Sequence, residues 1–193
     1  MIKIKEPIQQ LNEIRDLMER SSRFISLSGA AGIFAGSAAL AGAAIAWFRD
    51  NLTTLFLVID ALIVLTLAIS GAIFFTVRRA AKNNEKIWDR SARRLLINML
   101  IPLATGGLFC LILIGNDKTN LLPSATLVFY GLALVNASKY TLPEIRILGV
   151  FEILLGLLAG WLAGYGLIIW AIGFGLLHII YGIAMYNRYE KEK

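Results

Sequence analysis

The chain has 193 residues, of which 58% are hydrophobic and 17% are charged, and its formal net charge is +6. A soluble domain of this size usually carries about 45–50% apolar and about 25% charged residues. The excess is concentrated in long apolar blocks, which indicate membrane-spanning helices and exclude a soluble catalytic or DNA-binding domain. The single cysteine, Cys110, excludes an internal disulfide and a cysteine-based zinc site.

The apolar blocks predict six transmembrane helices of about 18–25 residues, each enough to cross about 30 Å of hydrocarbon. The predicted spans are residues 24–48, 53–77, 95–115, 121–138, 147–164 and 167–186. A cleaved signal peptide ending near residue 46 is an alternative for the first span, but the region before it is long and carries four acidic residues among its basic ones. The predicted fold is therefore an all-α polytopic membrane bundle.

Lysine and arginine predict the orientation, because the cytoplasmic loops of membrane proteins carry an excess of them. Of the 19 such residues, only Arg49 and Lys118 fall on one side of the six predicted spans. Both termini are therefore predicted to be cytoplasmic, in a multi-pass protein of the bacterial cytoplasmic (inner) membrane. Since this topology accounts for the positive charge, no nucleic-acid partner is expected.

Three parts are predicted along the chain: a cytoplasmic amphipathic segment (1–23), the transmembrane domain (24–186) and a cytoplasmic tail (187–193). Within residues 7–23, apolar residues recur at three- and four-residue steps, which predicts an amphipathic helix. Two interpretations stay open for this helix. It lies on the bilayer or on the cytoplasmic helix ends, or it is a dimerisation seam or a docking site for a cytoplasmic protein. The expected partners are accordingly the lipid bilayer, a second copy in a homo-oligomer, or a cytoplasmic protein.

Small residues recur at helical spacing in the first, fifth and sixth spans, and such faces allow another helix to approach closely in lipid. We expect their glycines to lie in helix–helix contacts. These glycines are Gly32, Gly36, Gly149, Gly156, Gly160, Gly175 and Gly182.

Glu152 and His178 lie on the small-residue faces of the fifth and sixth spans. If the turn between these spans centres on Tyr165, the two residues are level, about 20 Å below the outer end at 1.5 Å per residue. We therefore predict an intramembrane polar pair within hydrogen-bonding or one-water distance. Removing either side chain is expected to strand the other in apolar surroundings.

Asp60 is an additional intramembrane acid, roughly 10 Å from the outer end of the second span. Ionisable residues inside a membrane are rare and are by default candidates for function. Asp60, His178 and Glu152 together form a hypothetical proton or cation relay, because histidine changes its charge near neutral pH. The alternative is structural: a Glu–His pair that holds two helices in register, and an Asp60 bonded to a backbone carbonyl.

The chain contains no phosphate-binding glycine loop, no His-Glu-x-x-His and no Cys-x-x-Cys. Six spans with one histidine on the last invite comparison with intramembrane serine proteases, but Ser124 and Ser138 lack a Gly-x-Ser-Gly context. One histidine and two separate acids also fall short of the roughly three ligands of a catalytic metal. We predict that the chain is not an enzyme and has no metal site and no cofactor.

Two segments, MERSSRFISLSG at 18–29 and GYGLIIWAIGFGLLHIIYG at 164–182, resemble a family of small bacterial six-span membrane proteins with no assigned function. The resemblance implies the same six-span topology. It implies no substrate, cofactor or catalytic residue.

Two functional hypotheses follow. The first is a small transporter or channel component that uses Asp60, Glu152 and His178. The second is a membrane-embedded interaction or regulatory protein with a cytoplasmic docking helix. A water-filled cavity touching the three ionisable groups would favour the first, and a dry, packed core would favour the second.

Overall fold

The computed structural model of the protein describes residues 28–49, 53–84 and 87–191. These residues form six helices and no strand, so the predicted all-helical class is confirmed for them. The helices are α1 (Gly29–Trp47), α2 (Thr54–Lys82), α3 (Arg90–Gly115), α4 (Leu122–Ala137), α5 (Glu144–Trp161) and α6 (Gly166–Tyr189). Helix α6 is α-helical over Gly166–Trp170, π-helical over Ala171–Leu177 and α-helical again over His178–Tyr189.

Five of these helices are long and apolar enough to cross a membrane: α1, α2, α3, α4 with its flanking turns, and α6. Helix α5 has 18 residues, about one crossing length, but it carries Glu144, Arg146 and Glu152. The predicted amphipathic segment, residues 1–23, lies outside the described residues.

Helices α2 and α3 extend further into their connecting loop than the apolar blocks predicted. Helix α2 continues past Val77 to Lys82, and α3 begins at Arg90 rather than at Leu95. The start of α3 is fixed by Asp89, whose Oδ1 accepts a hydrogen bond of 2.6 Å from the Ala92 amide. Such a cap satisfies one of the unpaired amides of the first helical turn, so a polar segment can be helical beyond the apolar block.

The helices pack in a chain of neighbours rather than around one axis. Helix α1 lies between α2 and α6, while α4 packs against α3 and α5, and α6 also contacts α4 and α5. Helices α2 and α3 therefore lie at opposite edges, where they leave many large apolar side chains uncovered, including Leu62, Ile73, Phe74, Leu108 and Leu111. An exposed apolar surface of this extent suits a lipid environment.

The predicted glycines lie at helix contacts, although the faces of α5 and α6 are not turned towards each other. Gly149, Gly156 and Gly160 of α5 face α4, whereas Gly175 and Gly182 of α6 face α1, which presents Gly32 and Gly36 in return. The closest approach of α4 and α5 is a reciprocal glycine contact. A Cβ added at Gly131 would lie 2.6 Å from the Gly149 oxygen, and one at Gly149 would lie 2.8 Å from the Gly131 oxygen.

A proline inside α3 explains a polar contact between α3 and α4. Pro102 has no amide hydrogen, so the carbonyl of Asn98, four residues earlier, loses its helical donor. The side chain of Asn136 on α4 supplies the missing donor, with Nδ2 2.9 Å from the Asn98 oxygen. This bond links α4 to α3 at the point where α3 lacks one helical hydrogen bond.

We expect Asn136→Ala to lower the free energy of unfolding by about 1–2 kcal/mol, because it strands the Asn98 carbonyl. In a Pro102→Ala background, the new amide of residue 102 can bond that carbonyl, so Asn136→Ala should cost clearly less. A double-mutant cycle of chemical unfolding in one detergent measures the difference. Equal costs in the two backgrounds would show that Asn136 does not replace the proline's missing donor.

Candidate functional site

The structure brings Glu152 of α5 and His178 of α6 together in the interior of the bundle. The distance from His178 Nδ1 to Glu152 Oε1 is 3.4 Å, within the range of an ion pair when the imidazole is protonated. His178 is 6% exposed and Glu152 is 0% exposed. The small-residue faces of α5 and α6 pack against other helices, so they do not explain why the two residues meet. The equal distance of the two residues from the intervening turn does explain it.

Both ring nitrogens of His178 have partners. Nδ1 lies 3.1 Å from the backbone oxygen of Gly173, and Nε2 lies 2.8 Å from the hydroxyl of Tyr130 on α4. A carbonyl oxygen can only accept, so Nδ1 carries the hydrogen, and in the neutral ring Nε2 accepts from the tyrosine. Tyr130 therefore orients the imidazole so that its N–H points towards Gly173 and Glu152.

Glu152 is in the opposite situation, because neither of its carboxyl oxygens has a hydrogen-bond partner within the described part of the chain. Its Oε2 lies against the backbone of Gly173, where an added Cβ would be 2.6 Å from that oxygen. An ionised carboxylate left unpaired in apolar surroundings is costly, and a buried polar group without a partner calls for an explanation.

The backbone next to the pair is irregular. Gly173, which contacts both Glu152 and His178, lies inside the π-helical stretch of α6. π-Helical turns are rare and are frequent at functional sites, because they widen the helix and reposition carbonyl groups.

Aromatic rings enclose the histidine. Trp170, Phe174 and His178 recur every four residues along α6, and the Phe174 and His178 rings are stacked with centroids 5.9 Å apart. Tyr130 contacts both Phe174 and His178. Tyr130 is not among the site residues predicted from the sequence. The available signal was a tyrosine in the middle of α4, but that helix also carries the hydroxyl groups of Ser124 and Thr126, so Tyr130 did not stand out.

Asp60 does not belong to this cluster. Its carboxylate faces α1, with Oδ2 3.3 Å from the position of a Cβ added at Gly42, so it lies at the α1–α2 interface. Glu152 and His178 lie at the interfaces of α4, α5 and α6. The proposed three-residue relay is therefore divided between two separate helix contacts.

Two further acids organise the end of the bundle where α2 and α6 end and where α1, α3 and α5 begin, here called the basic end. Glu190 accepts hydrogen bonds from Ser28 Oγ and the Gly29 amide at the start of α1, and from Arg79 of α2. Glu144 of α5 accepts from Tyr189 and pairs with Arg188 at 2.7 Å.

Three consecutive residues, 188–190, thus join α6 to α5, α1 and α2. The sequence predicts these residues only as part of the cytoplasmic tail (187–193), because nothing in a single sequence pairs a tail residue with a distant helix.

The site can hold and pass a proton: a carboxyl group, an imidazole and a hydroxyl group follow one another at short distances. No protein-family model matches the chain, and neither a curated protein nor a solved structure is significantly similar to it. Its function must therefore be inferred from these side chains.

Proposed function

We propose that the chain is a multi-pass protein of the bacterial cytoplasmic membrane, with α1 to α6 as six spans and both termini in the cytoplasm. The five long apolar helices support membrane insertion, and α5 completes an even number of crossings. Among the described lysines and arginines, only Arg49 and Lys118 lie at the opposite end, and the other ten lie at the basic end, which fits a cytoplasmic basic end.

Cysteine labelling tests this topology. In a Cys110→Ser background, a membrane-impermeant maleimide added to intact spheroplasts should modify Asn116→Cys and spare Lys191→Cys. Both positions are exposed, so lysing the spheroplasts should make both cysteines reactive, which provides the control. If only Lys191→Cys is labelled in intact spheroplasts, the orientation is the reverse of the one proposed.

We further propose that the protein is a small transporter or channel component that conducts protons, in which Glu152 takes up and releases the transported proton. The observation that carries this proposal is the buried Glu152 carboxyl group, which makes no hydrogen bond among the described residues and lies 3.4 Å from His178 Nδ1. Ionisable groups held in a membrane interior at this cost commonly belong to proton relays and ion pathways.

The hydrogen-bonded order of the groups defines a transfer path. A proton that arrives on the Tyr130 side is accepted by His178 Nε2, which gives an imidazolium ion. The ring then releases its other proton from Nδ1 to Glu152 Oε1, which becomes a neutral carboxylic acid. The imidazole is left neutral with its hydrogen on Nε2, and a further transfer must return that hydrogen to Nδ1 before the next cycle. For the proton to leave, the site must open, and the π-helical turn around Gly173 is the segment of α6 best suited to rearrange.

Glu152→Gln tests the function because it keeps the shape of the side chain but removes the proton-binding group. In proteoliposomes with an internal pH indicator, wild-type protein should acidify the lumen when an inward proton gradient is imposed. Glu152→Gln should reduce the rate to that of empty vesicles.

Asp117→Asn is the matched control, since it removes an exposed acid and places asparagine where the backbone is left-handed, a conformation asparagine tolerates. This variant should retain the wild-type rate. If Glu152→Gln conducts protons at the wild-type rate, Glu152 is not the group that carries the proton.

A second candidate is a membrane-embedded interaction or regulatory protein, and the enclosure of the pair favours it. Glu152 is 0% exposed, and Asp60 lies at a different interface, so the three groups do not line one aqueous cavity. In that case Glu152 would not exchange protons. Infrared difference spectra between acidic and alkaline pH distinguish the two candidates. Proton transport requires a carboxylic-acid band that disappears in Glu152→Gln, whereas an interaction protein should show no such band.

A further inference from the structure

A groove opens at the basic end between α1, α2 and α6. Its volume is about 300 Å³, and its polar lining includes Ser28, Arg78, Lys82, Asn83, Tyr186 and Glu190. This volume is at the lower end of the roughly 300–1,000 Å³ usual for small-molecule sites. The groove exists because α2 and α6 both pack on α1, with the start of α1 between them.

The charges in the groove are unbalanced. It is lined by Arg78, Arg79 and Lys82 but by only one carboxylate, Glu190, and that carboxylate is engaged by Arg79, Ser28 and the Gly29 amide. Arg78 and Lys82 are exposed, one helical turn apart on α2, and neither has an ion-pair partner among the described residues. The groove therefore favours a further anion besides the Glu190 carboxylate.

An apolar surface continues from the groove along the helices. Phe75 lines the groove, and its ring is 5.9 Å from that of Phe34 on α1, which is 39% exposed. Beyond it, Phe74 and Ile73 leave more than half of their surface uncovered. A ligand that fits has an anionic head at Arg78 and Lys82 and an apolar tail along α2.

We propose that this groove binds an anionic phospholipid through its phosphate group. Arg78 and Lys82 pair with the phosphate, and Asn83 and Tyr186 supply hydrogen-bonding groups beside it. The acyl chains follow the exposed apolar side of α2. Arginine and lysine clusters where a helix leaves the membrane recognise acidic headgroups in this way. The proposal is independent of proton transfer at Glu152.

The test titrates detergent-purified full-length protein with short-chain phosphatidylglycerol, with phosphatidylcholine of the same chain length, and with inorganic phosphate. Binding is measured by the rise in unfolding temperature and by native mass spectrometry. Phosphatidylglycerol should bind the wild type most tightly. The double variant Arg78→Gln/Lys82→Gln should weaken that binding roughly 30-fold.

Arg93→Gln/Arg94→Gln is the matched control, because it removes two exposed charges of α3 outside the groove. This control should bind phosphatidylglycerol as the wild type does. Equal loss in both double variants, or equal affinity for the two lipids, would overturn the proposal. Inorganic phosphate bound as tightly as phosphatidylglycerol would assign the groove to a free anion instead of a lipid.

Discussion

His178→Leu is expected to lower the free energy of unfolding by about 1–3 kcal/mol, while Glu152→Gln should cost less than about 1 kcal/mol. The difference follows from the partners of the two side chains. His178 bonds Tyr130 through Nε2 and the Gly173 oxygen through Nδ1, and its loss strands the Tyr130 hydroxyl in the interior. Glu152 makes no hydrogen bond among the described residues, so the amide has none to lose. Chemical unfolding of the purified variants in one detergent measures both values.

A second background identifies the interaction that is lost. In Tyr130→Phe there is no hydroxyl to strand, so His178→Leu should cost less there than in the wild type. A double-mutant cycle gives the coupling energy of the tyrosine–histidine bond, which we expect to be about 1 kcal/mol. If His178→Leu costs the same in both backgrounds, the stability provided by His178 comes from ring packing with Phe174 and not from Tyr130.

This asymmetry corrects the expectation that removing either member of the pair would strand the other. The level positions of Glu152 and His178 predict a polar pair, but a sequence does not show how many hydrogen bonds each group makes. In the structure, His178 forms hydrogen bonds with partners on α4 and α6, whereas Glu152 forms none among the described residues. A polar group that costs stability is more readily explained by function than by packing.

Several features of the fold and site follow from local sequence patterns. Within the described residues, the apolar blocks predicted the helix ends to within a few residues, except at the loop between α2 and α3, where both helices are longer than predicted. The meeting of Glu152 and His178 followed from their equal spacing from the Ala163–Tyr165 turn, since antiparallel neighbours joined by a short turn have little freedom of register.

Other features depend on which helices become neighbours, and one sequence does not contain that information. The small-residue face of α5 was evident, but its partner proved to be α4, through Gly131. Asp60 lies within α2 as predicted, but its carboxylate faces α1 and not Glu152 and His178. The π-helical turn has no sequence signature, because glycine is equally common in ordinary membrane helices.

The contact between α4 and α5 should tolerate little added volume at Gly149. A methyl group at Gly149 would lie 2.8 Å from the Gly131 oxygen, 2.9 Å from Leu134 Cβ and 2.9 Å from the Val135 amide nitrogen. Two of these atoms are backbone, so a side chain cannot rotate away and the helices must separate. We expect Gly149→Ala to lower the free energy of unfolding by about 1–3 kcal/mol, and Gly149→Val by more.

Gly107 on α3 provides the matched control, because nothing lies within 4 Å of a Cβ added there. Gly107→Ala should be neutral or stabilise the protein by up to about 1 kcal/mol, since alanine favours a helix more than glycine does. Adding Gly131→Ala to Gly149→Ala should cost less than the sum of the single changes, because one methyl group has already separated the helices. The measurement is again chemical unfolding in one detergent. A Gly149→Ala variant as stable as Gly107→Ala would mean that α4 and α5 do not approach each other closely at these glycines.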